Sequence, residues 1–193
     1  MSASTKKTHL IVYNALFIAL ILVMQLFGIG MIRLGVINIT FYCSVITVGT
    51  LFLGLKSGLI QGLAFGTISL VSAIQAPTAL VAPIMSQSLA LVVALCYIPR
   101  VLVPVCAHLV HKLTLKCCSN EKRALMLGGA AGSLTNSVLY LGIMVLCYLP
   151  MLAAHPGVLA TIGGVILYGS IPEFIVAGVI TPPLVLALRK VKH

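Results

Sequence analysis

The chain has 193 residues, of which 61% are hydrophobic and 7% are charged, so no stretch is polar enough for a soluble domain. Residues 1–193 are therefore predicted to form a single integral-membrane domain. The net charge of +10 would suggest nucleic-acid binding in a soluble protein. Here the basic residues flank apolar stretches, so the lipid bilayer is the expected partner and nucleic acid is not.

Three crossings are predicted in the first part of the chain, over residues 10–27, 39–53 and 57–74. Gly28 and Gly30 end the first crossing, and the loop that follows carries Arg33 and Asn38. A proline, Pro77, follows the third crossing and breaks its helix.

The region from 83 to 115 is apolar enough for two short spans that would meet at Pro99-Arg100. Two spans would move the basic cluster at 112–123 outside, against the positive-inside rule. A single crossing over 99–115 is therefore predicted, with Arg100 at its outer end. Residues 76–98 then become a long apolar outer loop, which either stays outside or re-enters the membrane.

Two more crossings are predicted over 124–149 and 171–188, with a second outer loop around His155. The result is an all-α membrane protein with a bundle of six transmembrane helices. Both termini are predicted to be cytoplasmic, because lysines and arginines lie beyond the first and last crossings.

Small residues recur four positions apart in three of the helices, a spacing that lets helix backbones approach closely. They are Ala15 and Ala19 in the first, Gly58, Gly62 and Gly66 in the third, and Gly128 and Gly132 in the fifth. The glycines are expected to pack inside the bundle. The alanine pair suits internal packing or a partner subunit equally well.

Catalytic motifs are missing from the sequence. There is no phosphate-binding G-x-x-x-x-G-K-[ST] loop, and with no Asp there is no Walker-B carboxylate for ATP hydrolysis. His108 and His111 share one helix face but have no third ligand nearby, so no metal site is expected. The chain is predicted to bind a solute rather than to be an enzyme, with no catalytic residue and no cofactor.

Polar residues inside the predicted spans are the candidates for that binding. Arg100 offers a planar clamp for a carboxylate, and Asn136 can both donate and accept hydrogen bonds. Together with Glu173 they would suit a small anionic solute that carries hydroxyl or amide groups. Each of these residues also has a structural alternative. Arg100 then reaches the membrane interface or pairs with Glu173. Asn136 forms a hydrogen bond between two helices, and Arg33 is a solvated charge in a loop.

Five segments in order give the chain a family resemblance. They are Asn14-Ala15-x-x-x-Ala19, Ile37-Asn38-Ile39-Thr40-Phe41, Pro99-Arg100-Val-Leu-Val, Gly132-Ser-Leu-Thr-Asn136-Ser-Val-Leu and Ile171-Pro172-Glu173. The sequence resembles the substrate-binding (S) component of an energy-coupling factor (ECF) vitamin transporter of the prokaryotic cell membrane. The resemblance implies six helices that hold a vitamin near the outer face. It also implies that Ala15 and Ala19 dock to a transmembrane coupling protein, while two cytosolic ATPases supply the energy.

Within that family, the Pro-Arg and Thr-Asn-Ser elements look most like the pantothenate branch. By this resemblance Arg100 holds the carboxylate of pantothenate and Asn136 its polar middle section. The other residues assigned to the site are Thr135, Ser137, Tyr140, Glu173, Asn38 and Arg33. An S component for folate or cobalamin remains an alternative, as does a stand-alone proton-coupled transporter with Glu173 as the proton carrier.

Overall fold

The computed structural model describes residues 3–28, 31–34, 37–151 and 157–192, and for residues 3–6, 31–34, 37–40, 151, 168 and 192 it describes the backbone only. The described helices are α1 (Ala3–Phe27), α2 (Tyr42–Leu53), α3 (Leu55–Gln75), α4 (Ala82–Gln87), α5 (Leu89–Cys117), α6 (Glu121–Tyr148), α7 (Val158–Val165) and α8 (Ile171–Lys192). Strands β1 (Met31–Leu34) and β2 (Ile37–Thr40) form an antiparallel hairpin between α1 and α2. The all-α membrane fold is confirmed in outline, with this hairpin as an addition.

Five of the described helices are long and apolar enough to cross a membrane: α1, α3, α5, α6 and α8. They correspond to five of the predicted crossings. The remaining one, predicted over 39–53, is the 12-residue helix α2, and β2 precedes it. At 1.5 Å per residue α2 is about 18 Å long, against a hydrocarbon core of about 30 Å. The count of six crossings and the side on which the termini lie stay predictions.

Helix α5 differs from its prediction. It begins at Leu89 rather than near residue 99, so Pro99 and Pro104 both lie inside it. The prediction of a long outer loop over 76–98 is therefore wrong, because a short connection that contains α4 leads directly into α5. Proline was interpreted as the start of the span, but membrane helices tolerate an internal proline when other groups bond the freed carbonyl.

The last helix is also preceded by more helix than the sequence indicated. Helix α7 runs into a π-helical turn (Ile166–Ser170), and α8 follows without a break. The amide of Ile171 bonds the carbonyl of Ile166, five residues back. We attribute the wider turn to Pro172, which has no amide hydrogen for an ordinary helical bond. The expected outer-loop residue His155 lies outside the described part.

Glycines join α3 to α5, as the sequence predicted. A Cβ on Gly62 would collide with the backbone carbonyl of Arg100, and one on Gly66 would lie 2.9 Å from the ring of Tyr97. In α6, a Cβ on Gly128 would lie 3.2 Å from the carbonyl of Ala107 in α5. The absent side chains let the backbones touch, which fixes the position of Arg100 relative to α3.

Arg189, near the C-terminal end of α8, joins the C-terminal end of α2 to the N-terminal end of α6. Its guanidinium pairs with Glu121, in the first turn of α6, and donates a 3.2 Å hydrogen bond to the carbonyl of Leu51 near the end of α2. Carbonyls in the last turn of a helix lack intrahelical partners, so this contact supplies one.

Candidate functional site

Arg100 lies about three turns into α5 and is only 8% exposed. Its Nη1 donates to the carbonyl of Leu95 at 2.7 Å, and its Nη2 donates to Ser69 Oγ of α3 at 3.3 Å. The expected position at the outer end of a span is therefore wrong, and so is the alternative of an interfacial side chain. The charge is held inside the bundle, where an ionisable group is costly and marks a candidate site.

Two aromatic rings contact this guanidinium. Its carbon Cζ lies 4.8 Å from the ring centroid of Tyr140 in α6 and 5.4 Å from that of Phe65 in α3. Tyr42 of α2 stacks on Phe65 with ring centroids 5.0 Å apart. Cation–π contacts of this kind offset part of the cost of burying the charge.

One nitrogen of the guanidinium lacks an acceptor within the described part of the chain. The Nε of Arg100 is buried and has no hydrogen-bond partner among the described residues. Nε and Nη2 together form the edge on which a carboxylate can accept two parallel hydrogen bonds. An unsatisfied buried donor is costly, so a ligand that supplies an acceptor at this edge gains from doing so.

Helix α6 presents four polar side chains on one side, because a helix turns about 100° per residue. They are Ser133, Asn136, Ser137 and Tyr140. Ser133 and Ser137 are buried, and Asn136 Oδ1 is buried without a partner in the described part of the chain. The sequence prediction assigned Asn136, Ser137 and Tyr140 to the site. The structure places all three on one side of α6, and Tyr140 on that side contacts Arg100.

Thr135 lies on the opposite side of the same helix, so the structure does not bring it together with the other predicted residues of α6. Its hydroxyl bonds the carbonyl of Ala131 in its own helix, and it lines a groove with Leu102 and Cys106. The helical period of α6 already separates Thr135 from Asn136 and Ser137, which is the signal that the sequence interpretation overlooked.

Glu173 brings a carboxylate from α8 to the same region. It is 7% exposed and accepts a 3.3 Å hydrogen bond from Ser133. Cys43 of α2 is buried close enough to both Glu173 and Arg100 for their charges to act on its thiol. The two ionisable groups of opposite sign are thus both near Cys43, in the first turn of α2.

An apolar cavity of about 340 Å³ adjoins this polar face. It lies between α6, α7 and α8, and its lining includes Ser137, Leu141, Ile162 and Phe174. Ser137 is therefore at the boundary between the polar cluster and apolar space.

The hairpin carries the two predicted loop residues. In its register Arg33 stands opposite Asn38, and β2 lies against the π-helical turn and α8. The side chains of both residues lie outside the described part, so their contribution to the site stays a prediction.

Ala15 and Ala19 are exposed on α1. The opposite side of α1 carries the buried Phe17 and Ile21, and Asn14 donates a 3.0 Å hydrogen bond to Ser57 of α3. Internal packing by the alanine pair is therefore excluded as an explanation, and this small-residue face points away from the bundle.

Sequence reasoning missed Phe65, Ser69 and Tyr42. Tyr42 lies on a helix without a charge, and Phe65 and Ser69 lie more than two turns from Lys56, the charged residue of α3. Nothing in their local pattern therefore singles them out. The nearest signal is the glycine face of α3, since Phe65 directly precedes Gly66 and packs at the same interface.

A family model described as "ECF transporter, substrate-specific component" matches residues 9–187. The chain belongs to this family. Over 191 residues, which cover 93% of each chain, this S component is 29% identical to the pantothenic acid transporter PanT of Lactococcus lactis subsp. cremoris (strain MG1363). Family membership and five long apolar helices make the S component a multi-pass membrane protein and one part of a transporter, as the resemblance implied.

Proposed function

We propose that this S component binds pantothenate, with Arg100 holding the carboxylate. The observation that carries the proposal is the buried guanidinium, in contact with Phe65 and Tyr140 and with its Nε unpartnered among the described residues. Pantothenate is an anion whose carboxylate fits that edge. The similarity to a protein named as a pantothenic acid transporter supports the same ligand.

The neutral part of pantothenate would lie along α6. Its amide and hydroxyl groups match Asn136, whose buried Oδ1 accepts from a donor, and Ser137 at the edge of the apolar cavity. Glu173 would accept a hydrogen bond from a ligand hydroxyl, while the hydroxyl of Ser133 holds the side chain of Glu173 in place. The geminal dimethyl group of the vitamin suits apolar surroundings.

We propose that the hairpin, with Arg33 and Asn38, covers the outer side of this site. The backbone of β2 lies against the π-helical turn, which leads into Glu173. In this arrangement the bundle has six crossings and both termini in the cytoplasm. The basic residues between α5 and α6 support that orientation.

The energy for uptake would come from partners. The exposed Ala15 and Ala19 would dock to a transmembrane coupling protein (EcfT-like), and two cytosolic ATPases (EcfA-like) would drive transport. Under this proposal the S component is a binding protein rather than an enzyme and needs no cofactor. The vitamin, the coupling protein and the ATPases are its partners.

Calorimetric titration of the purified, detergent-solubilised S component with a panel of vitamins tests the proposal. We expect tight binding of pantothenate and none of folate or cobalamin. Binding of folate or cobalamin instead would reassign the ligand. Accumulation of pantothenate by the chain alone in proteoliposomes, without ATP, would favour the stand-alone proton-coupled transporter.

A further inference from the structure

Pro99 and Arg100 are neighbours in sequence, and both affect the hydrogen bonding of the backbone carbonyl of Leu95. In a regular helix the carbonyl of Leu95 would accept the amide hydrogen of residue 99, four positions later. Pro99 has no amide hydrogen, so it leaves this carbonyl free in the interior of α5. The carbonyl instead accepts the 2.7 Å hydrogen bond from Arg100 Nη1.

The reach of the arginine makes this possible. Helical side chains lean toward the N-terminus of their own helix, so Arg100 extends back over the turn that contains Leu95. A buried carbonyl without its helical partner would be costly, and so would a buried guanidinium without acceptors. Each group offsets the cost of the other.

We infer that Pro99 is a positioning residue for the binding site, because it supplies the backbone acceptor that orients the guanidinium of Arg100. This inference rests on the proposed function of Arg100 as the carboxylate clamp. With Nη1 bonded to Leu95 and the rings of Phe65 and Tyr140 in contact with the guanidinium, Nε is the donor that lacks an acceptor in the described part of the chain and is left for the ligand. The chemical class that gains is an anion that presents two oxygens to this edge, and in pantothenate that group is the carboxylate.

Pro104 provides a matched control in the same helix. It also lacks an amide hydrogen, and the carbonyl that it frees is that of Arg100 itself. That carbonyl lies against Gly62 of α3. Pro104 therefore shapes helix packing without providing an acceptor for the guanidinium.

The test uses calorimetry on the full-length S component with two ligands, pantothenate and the same molecule with its carboxylate reduced to a primary alcohol. In Pro99→Ala the new amide occupies the Leu95 carbonyl. We expect the affinity for the carboxylate to fall about ten-fold more than the affinity for the alcohol, the size of one lost hydrogen bond to a charged group. Pro99→Gly restores the same amide in a more flexible backbone and should give the same selective loss.

Two comparisons decide whether Pro99 acts through Arg100. Pro104→Ala should change the affinities for both ligands by the same factor. In an Arg100→Ala background, Pro99→Ala should cause no further loss of carboxylate affinity, because coupled residues are not additive.

A Pro99→Ala effect that is equal for both ligands, or fully additive with Arg100→Ala, would overturn the positioning role and leave the carboxylate clamp in place. If Arg100→Ala itself weakened both ligands equally, the clamp and the role of Pro99 would fall together. Alcohol binding also reports that each variant is folded.

Discussion

The hydroxyl of Ser133 in α6 donates a 3.3 Å hydrogen bond to Oε1 of Glu173 in α8, and both side chains are buried. The contact joins two helices beside the arginine of α5. It also gives the carboxylate a fixed neighbour, which suits a group that holds a ligand. A proton carrier would have to exchange its proton with water on both sides of the membrane.

Glu173→Gln separates these two roles, because it keeps the shape of the side chain and removes its charge. We expect pantothenate affinity to fall by less than about ten-fold, the loss of one hydrogen bond. Proteoliposomes that hold the wild-type chain alone should show no accumulation under an imposed proton gradient. Gradient-driven accumulation by the wild type that disappears in Glu173→Gln would contradict the binding role.

Arg100→Ala should weaken pantothenate binding by about 2–4 kcal/mol, or roughly 30- to 1000-fold, since it removes a charge-assisted pair from a buried site. Arg100→Lys should recover only part of the loss, because an ammonium group cannot make the two-pronged contact. Calorimetry with pantothenate measures both variants. The alcohol analogue is the control, and its affinity should change much less than that of the carboxylate.

Asn136→Ala should cost about 1–2 kcal/mol of binding free energy, because a neutral hydrogen bond to the ligand is lost. Thr135→Ala is the matched control, one residue away on the opposite side of α6 and bonded to Ala131. Its affinity for pantothenate should equal that of the wild type. Equal losses in the two variants, measured in the same titration, would mean that α6 acts through its packing and not through Asn136.

Ala15→Val and Ala19→Val should reduce ATP-dependent uptake in proteoliposomes that contain the whole transporter. Ligand affinity of the isolated S component should stay unchanged, because both residues are exposed on α1, away from the site. Added bulk would keep the coupling protein from close approach. Ala187→Val, at an exposed position of α8, is the control. A similar loss of uptake in that variant would point to a general effect of bulk at the lipid-facing surface.

Gly62→Ala should destabilise the bundle by about 1–3 kcal/mol, because its new methyl group would press on the backbone carbonyl of Arg100. A Cβ on Gly142 in α6 meets nothing within 4 Å. Gly142→Ala should therefore be neutral, or more stable by up to about 1 kcal/mol from helix propensity. Thermal unfolding of the detergent-solubilised variants compares the two. Identical midpoints would show that α3 can move away from α5 without cost.

The sequence predicted the long helices well, because each is a continuous apolar run between polar ends, as in α3 and α6. It also predicted that the glycines pack inside. It misplaced the start of α5, because Pro99 in a soluble protein would end or begin a helix. In a membrane helix the same proline can lie inside, provided that another donor, here Arg100, bonds the freed carbonyl.

The candidate site was predictable only where polarity stands out against an apolar background, as for Arg100, Asn136 and Glu173. Phe65 and Tyr42 could not be recognised, since an aromatic residue in an apolar helix has no local contrast. Their role comes from helix packing, which brings α2 and α3 beside α5. Ser133 was left out and Thr135 was included because the prediction took residues next to Asn136 in the sequence to be next to it in space.

The glycine contacts of α3 also decide which parts of the molecule can move. Backbone touching backbone leaves no side-chain layer to slide, so α3 and α5 behave as one rigid body that carries the arginine with it. Entry of a solute would then be controlled outside this pair, and the hairpin between α1 and α2, whose second strand lies against the π-helical turn and α8, is in a position to do so. Selectivity would reside in the α3–α5 pair and access in the hairpin, so that changes in one need not disturb the other.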